Sequence, residues 1–172
     1  AILRDADLTA AILRDADLRG ANLTAAILRD ADLTAAILRD ADLRGANLTA
    51  AILRDADLTA AILRDADLTR ANLTAATLTH AILTDADLTH ADLTHADLTD
   101  ADLDFSCLPL WRGSLRMKTD ECQRKQIAYH LASLFVHAEN VTDEEKAIYS
   151  AIATYANGFH RVGECPKLEP NL

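Results

Sequence analysis

Alanine stands at every fifth position from Ala1 to Ala101 and leucine at every fifth from Leu3 to Leu103, giving 21 consecutive A-x-L-x-x units with no exception in either column. A short fixed period marks units that cannot bury their own apolar face and must stack to do so. Five residues do not suit a long helix, where each successive Leu would advance about 500° and smear around the cylinder. A straight strand fails as well, because an odd period puts successive leucines on opposite faces. The chain must therefore turn once per unit. With Ala and Leu pointing inward along a short extended segment, the other residues supply outward positions and a corner, and four such units close a square coil of 20 residues.

The pattern A-(D/N)-L-x-x, as in Ala6-Asp7-Leu8-Thr9-Ala10 and Ala21-Asn22-Leu23-Thr24-Ala25, resembles the pentapeptide repeat family. The resemblance covers residues 1 to about 110, with Ser106-Cys107-Leu108-Pro109-Leu110 similar to a degenerate further unit that keeps only its central Leu. It implies an all-β solenoid, a right-handed quadrilateral β-helix of about five coils. On that fold the Leu column stacks as the core and the Ala column fills the space beside it. The second, fourth and fifth residues of each unit face water.

A larger repeat lies over the smaller one. Residues 1–25 recur unchanged as 26–50 and, with two replacements, as 51–75. In a 20-residue coil a 25-residue module lands one face further round each time. Second-position residues are thus expected to stack as Asp7 under Ile27, Ile12 under Asp32, Asp17 under Ile37 and Asn22 under Asp42. Neighbouring coils lie roughly 4.8 Å apart, a distance at which like charges in register destabilise a ladder. The offset keeps Asp off Asp within the three copies, although plain tandem duplication would also leave it.

Charge is uneven along the chain. Residues 1–105 carry 19 Asp and 9 Arg, while residues 106–172 carry 8 acidic and 8 basic groups. Residues 71–105 contain Asp85, Asp87, Asp92, Asp97, Asp100, Asp102 and Asp104 with no Lys or Arg. This acidic collar is the candidate partner-binding site. Some members of the family, the quinolone-resistance and topoisomerase-inhibiting proteins, resemble B-DNA in width and charge and occupy the DNA site of type II topoisomerases. A rod of this length, about 25 Å, would match duplex DNA carrying roughly 15 charges. Its net charge of −10 is two-thirds of that. Against the analogy, those relatives use longer rods, often with projecting loops, and dimerise through a C-terminal element. Arg4, Arg14, Arg29 and six further arginines also interrupt the negative surface. A local alternative is that Arg112, Arg116, Lys118, Arg124 and Lys125 fold back and neutralise the collar.

Beyond residue 110 the period stops, with Pro109 and Gly113 marking the change. The expected organisation is a β-helix over 1–110 and a helical C-terminal cap over 111–172. Two amphipathic helices are expected, about 119–138 and 142–157. The first is capped by Thr119 and carries Ile127, Leu131, Leu134, Phe135 and Ala138 on its apolar face. The second opens with the capping box Thr142-Asp143-Glu144-Glu145, carries Ile148, Ala151, Ile152, Tyr155 and Phe159, and stops at Asn157-Gly158. Trp111, Leu115 and Met117 would pack the junction. The tail is similar to those of bacterial pentapeptide repeat proteins, which brings no activity with it.

Chemistry motifs are scarce. No phosphate-cradling G-x-x-x-x-G-K-[ST], G-x-S-x-G or H-E-x-x-H occurs. His160 with Cys165, joined by Cys122 or Cys107, is the strongest metal candidate, and its spacing matches no common zinc pattern. The nearest nucleophile set, Ser106 and Cys107 with a histidine, has no predictable mutual geometry. No catalytic, cofactor-binding or metal residue is therefore assigned. The expectation is a non-enzymatic structural or protein-binding scaffold, with an acidic DNA mimic acting on gyrase or another DNA-binding protein as the alternative. No direct contact with nucleic acid or membrane is expected. A homodimer could form through the C-terminal helices, or by end-to-end stacking at a Leu-lined N-terminal end. The chain lacks an 18-residue apolar run or a signal-peptide pattern, and its three cysteines do not make a disulfide framework, which points to the cytoplasm.

Overall fold

In the computed structural model the described residues are 1–103, 106, 107, 142, 147 and 149–152. The chain divides into two compact units, Ala1–Thr119 and Asp120–Leu172. The expected boundary at 110/111, the 119–138 helix, the Thr119 cap and the junction residues lie outside the described residues.

In the first unit every second-position residue forms a parallel β-bridge with the residue 20 further on, from Ile2 with Asn22 to Asp87 with Cys107. One circuit is thus 20 residues, and successive circuits stack as a solenoid. The anticipated stacks Asp7–Ile27, Ile12–Asp32, Asp17–Ile37 and Asn22–Asp42 are all present. Ser106 and Cys107 keep the register of the periodic coils: Ser106 N–H donates to Leu103 O at 3.1 Å and Cys107 N–H to Ala86 O at 2.9 Å.

The backbone accounting explains why five residues suffice. Within each unit the third-position N–H donates one coil up, as Leu28 to Asn47 O at 2.7 Å, and the second-position N–H donates one coil down, as Ile27 to Ala6 O at 2.9 Å. The fifth also donates upward, as Ala25 to Arg44 O at 2.9 Å, and the first closes the corner, as Ala31 to Leu28 O at 3.1 Å. Only the fourth N–H lacks a backbone acceptor in this scheme. Where the second residue is Asp or Asn its side chain takes that hydrogen, as Thr24 N–H to Asn22 Oδ1 at 3.1 Å and Thr69 N–H to Asp67 Oδ1 at 2.9 Å. The Asp or Asn of the repeat is therefore first a local Asx cap, and only secondarily a surface charge.

Each corner is a fifth-position residue in the left-handed region, with φ between 55° and 62° from Asp5 to Asp100. Gly20 and Gly45 suit that conformation, yet Ala10, Arg70 and His80 adopt it too. L-residues are disfavoured there by about 1–2 kcal/mol. In the middle coils the corner peptide is bonded on both sides, as Asp15 N–H to Thr34 O at 3.0 Å and Ala35 N–H to Arg54 O at 2.9 Å, and these bonds hold the conformation.

The interior is Ala and Leu alone. From Ala21 to Leu98 both columns are 0–1% exposed, and no buried side-chain polar atom lacks a partner among the described residues. Leu3, Leu8 and Leu13 pack on this core while partly exposed.

In the second unit Ala147 and Tyr149–Ile152 are helical. One expectation is corrected here. Ala151, assigned to the apolar face, is exposed, and Ile152 is half-buried, whereas Tyr149 is 1% exposed. At about 100° per residue Ile152 lies near the Tyr149 side and Ala151 lies opposite; Ile148, Tyr155 and Phe159 lie outside the described residues. Among the described residues no helix is long and apolar enough to cross a membrane.

Candidate functional site

Four faces are defined by the units that begin at residues 1, 6, 11 and 16 and by every unit 20 residues above them. Asp102, Asp87, Asp92 and Asp97 hold the second position on the first, second, third and fourth faces respectively, each half-buried. Asp85 and Asp100 are exposed corners at φ 58°. Asp104 lies outside the described residues. The collar is thus a ring with one carboxylate centred on each face. Among the described residues no concave wall brings several of these carboxylates together.

Three of these carboxylates hold backbone. Asp87 Oδ1 accepts from Thr89 N–H at 2.8 Å, Asp92 Oδ1 from Thr94 N–H at 2.9 Å, and Asp97 Oδ1 from the Thr99 amide at 3.1 Å and hydroxyl at 2.6 Å. Asp102 Oδ2 accepts from Thr84 Oγ1 at 3.3 Å, and Asp100 Oδ2 lies 3.8 Å from His80 Nδ1. His80, His90 and His95 occupy corners of three different faces at φ 58°, 62° and 62°, as their numbers require.

Two further members of the acidic surface escape a reading by sequence segment. Asp67 bridges Asp87 directly, the one place among the described bridges where Asp stacks on Asp. Asp65 stands 20 residues below Asp85 on the adjoining corner, so Asp65, Asp67, Asp85 and Asp87 share one edge of the rod. The 20-residue register was the signal that finds them.

Below the collar the arginines follow a simple order. Arg19 and Arg44 pair with the Asp two residues back, each at 2.6 Å. Arg14 and Arg39 have Ile there and reach instead the Asp 18 residues on, Asp32 and Asp57. Arg4, Arg29 and Arg54 meet Ile behind and Asn above, and turn to the adjacent Asp at 3.4–3.7 Å. Arg64 has Ile at both places and makes no ion pair among the described residues. Every arginine of these pairs lies more than half in solvent, so each pair contributes little to stability.

The Asx bonds set the acid behaviour. The Thr9 hydroxyl and then its amide hold Asp7 below the ordinary carboxylate range, and the Thr34 hydroxyl and amide, with Arg14, do so for Asp32. The Arg19 and Arg44 side chains are the main cause for Asp17 and Asp42. Burial pushes Asp57 and Asp67 upward, but hydrogen bonds from Thr59 and Arg39, and from Thr69 and Thr49, outweigh it and leave both low. An unfolded Asp takes its proton near pH 4, and these folded ones take theirs lower. Their contribution to stability is therefore fully present above about pH 4 and is lost as pH falls through the lower folded values. The far-UV circular dichroism of the protein should hold from about pH 8 to about pH 5 and decay only below about pH 4. A transition centred near pH 6 would show that some other titration governs the fold.

Neither a catalytic dyad nor a cofactor cradle emerges from these positions. No group of three or more His, Cys, Asp or Glu is placed to hold a metal among the described residues. Of the earlier metal candidates only Cys107 is described, as an exposed free thiol.

Comparison with protein families matches residues 1–40, 26–65 and 66–104 to pentapeptide repeats, in eight copies. No curated protein matches the chain. Among solved structures, a pentapeptide repeat protein from the thylakoid lumen of Arabidopsis thaliana is 32% identical, covering 68% of this chain and 77% of its own, with a TM-score of 0.48. HetL, a pentapeptide repeat protein involved in heterocyst differentiation regulation in the cyanobacterium Nostoc sp. strain PCC 7120, is 38% identical. That match covers 63% of this chain and 60% of HetL, with a TM-score of 0.29. QnrB1, a plasmid-mediated fluoroquinolone resistance protein, is 21% identical over 76% of this chain and 70% of its own, with a TM-score of 0.45.

Proposed function

The chain belongs to the pentapeptide repeat family, and from that premise we propose that it is a non-enzymatic scaffold that binds another protein through its outer surface. The full architecture in this reading is a right-handed β-helix of about five coils over 1–110 with a helical cap over 111–172. The observation that carries the proposal is the chemical division of the rod among its described residues: an interior of Ala and Leu, and charged side chains confined to the outside. Surface recognition is the chemistry such a rod offers. The acidic collar, Asp85 to Asp104, is the part of the rod with the greatest excess charge, and a partner with a basic surface suits it.

A second reading draws on the density of that charge. Seven Asp within residues 71–105 span fewer than two coils, roughly 8 Å at the usual strand spacing. Duplex DNA carries about five charges over that length. The collar therefore equals or exceeds DNA locally, and this favours an acidic mimic that occupies the DNA site of a type II topoisomerase such as gyrase.

Gyrase supercoiling, titrated with the protein and with a variant carrying Asn at Asp85, Asp87, Asp92, Asp97, Asp100, Asp102 and Asp104, separates the two. Inhibition at low salt that fades as salt rises, and that the variant lacks, would establish the mimic. No inhibition at high micromolar protein removes it and leaves the scaffold. The collar falls as the scaffold's binding surface if the variant and the unaltered protein retain the same proteins from a lysate in equal yield, and the scaffold reading itself falls if the unaltered protein retains none.

A further inference from the structure

The module of 25 residues and the circuit of 20 differ by one unit. Every ion pair of the lower coils obeys the longer period. Arg14–Asp32 recurs as Arg39–Asp57, Arg19–Asp17 as Arg44–Asp42, and Arg4–Asp5 as Arg29–Asp30 and Arg54–Asp55, each 25 residues on and hence one face round. The backbone does not distinguish the faces either. The Leu N–H bond to the coil above is 2.7 Å from Leu23, Leu28, Leu33 and Leu38, which occupy four different faces. Their corner residues, Ala25, Asp30, Ala35 and Asp40, have φ of 55°, 58°, 56° and 56°. The four faces are physically interchangeable.

We infer that the 25-residue module is a device for setting rotational phase. Gain or loss of either of the first two copies turns everything above it by a quarter turn relative to everything below, while keeping each remaining core layer and ion pair intact. Loss of residues 26–50 would move Asp92 from the third face to the second. It would leave Arg14 paired as before, now with Asp57. Loss of one circuit, residues 31–50, behaves differently. It preserves the faces but sets Ile52 opposite Arg14 and puts Asp17 beneath Asp57. Module number therefore sets the direction in which the collar points, and a partner that touches both collar and lower coils would distinguish chains of different module number.

The test uses the full chain and the two deletions, each with a pair of cysteines at second positions and the short thiol crosslinker dibromobimane. Bridged peptides are identified by mass spectrometry so that the native cysteines do not confuse the result. Ile12→Cys with Asp32→Cys should bridge in the full chain, and Ile12→Cys with Asp57→Cys should not. The latter pair should bridge once residues 26–50 are removed. After removal of residues 31–50 the bridging pair should be Ile12→Cys with Ile52→Cys. The inference is overturned if the 26–50 deletion bridges positions 12 and 52, if it fails to fold while the 31–50 deletion folds, or if neither deletion folds.

Discussion

Leu58→Ala should lower the unfolding free energy by about 2–5 kcal/mol, as read from the midpoint of a urea or thermal transition. Leu58 is fully buried, stacked between Leu38 and Leu78, and both of those are equally shielded. Truncation leaves a hole that neighbours cannot close, because each is tied to the coils above and below by bonds such as Leu58 N–H to Thr77 O at 2.7 Å. The same change at Leu13, already partly exposed, removes less buried surface and should cost clearly less. Small proteins hold only about 5–15 kcal/mol in total, so the central substitution threatens the whole rod. In a solenoid each coil touches only its neighbours. The damage should then show as early hydrogen exchange in the coils on both sides of Leu58. Equal losses at positions 13 and 58 would contradict a core that is continuous through the stacked coils.

The strong period made much of this fold legible. Invariant Ala and Leu columns can be nothing but the interior, and an odd period rules out straight elements, so the 20-residue register and the stacks in it follow from counting. The corners were less legible. Nothing about Ala or Arg favours positive φ, and what holds Ala35 or Arg70 there is hydrogen bonding between coils, visible only when the coils are built. The aspartates were the most deceptive. Read as charges they define a collar over residues 71–105; in the structure Asp87, Asp92 and Asp97 chiefly cap the amides of Thr89, Thr94 and Thr99. A D-L-T triplet carries both meanings. The collar's ring geometry also followed from the register, as did the addition of Asp65 and Asp67, but a reading by segment groups residues by sequence distance and not by face. In the second unit the buried Tyr149 was not among the residues assigned to the apolar face, because its hydroxyl made it less apolar than its neighbours in a reading by hydrophobic period.

Adjacent positions that receive the same residue should respond in opposite ways. Leu63→Asn places an amide where every neighbouring side chain is Ala or Leu and where the nearest backbone groups are already paired, Leu63 N–H with Ile82 O at 2.7 Å and Leu63 O with Ala66 N–H at 3.1 Å. It forfeits the burial of a Leu, about 1.5–3 kcal/mol, and strands a polar group at about 1–3 kcal/mol more. Ile62→Asn, one residue earlier, sits at the half-exposed second position. There it reproduces the arrangement of Asn22, whose side chain accepts the Thr24 amide, and gives the Arg64 amide the same cap. The expected change at position 62 is within about 0.5 kcal/mol of zero, against a loss of several at 63. Denaturant melts of the two variants measure this directly. A tolerated Asn at 63 would mean that water or a polar partner reaches the interior, and the case for a rod that acts only through its outer surface would fail with it.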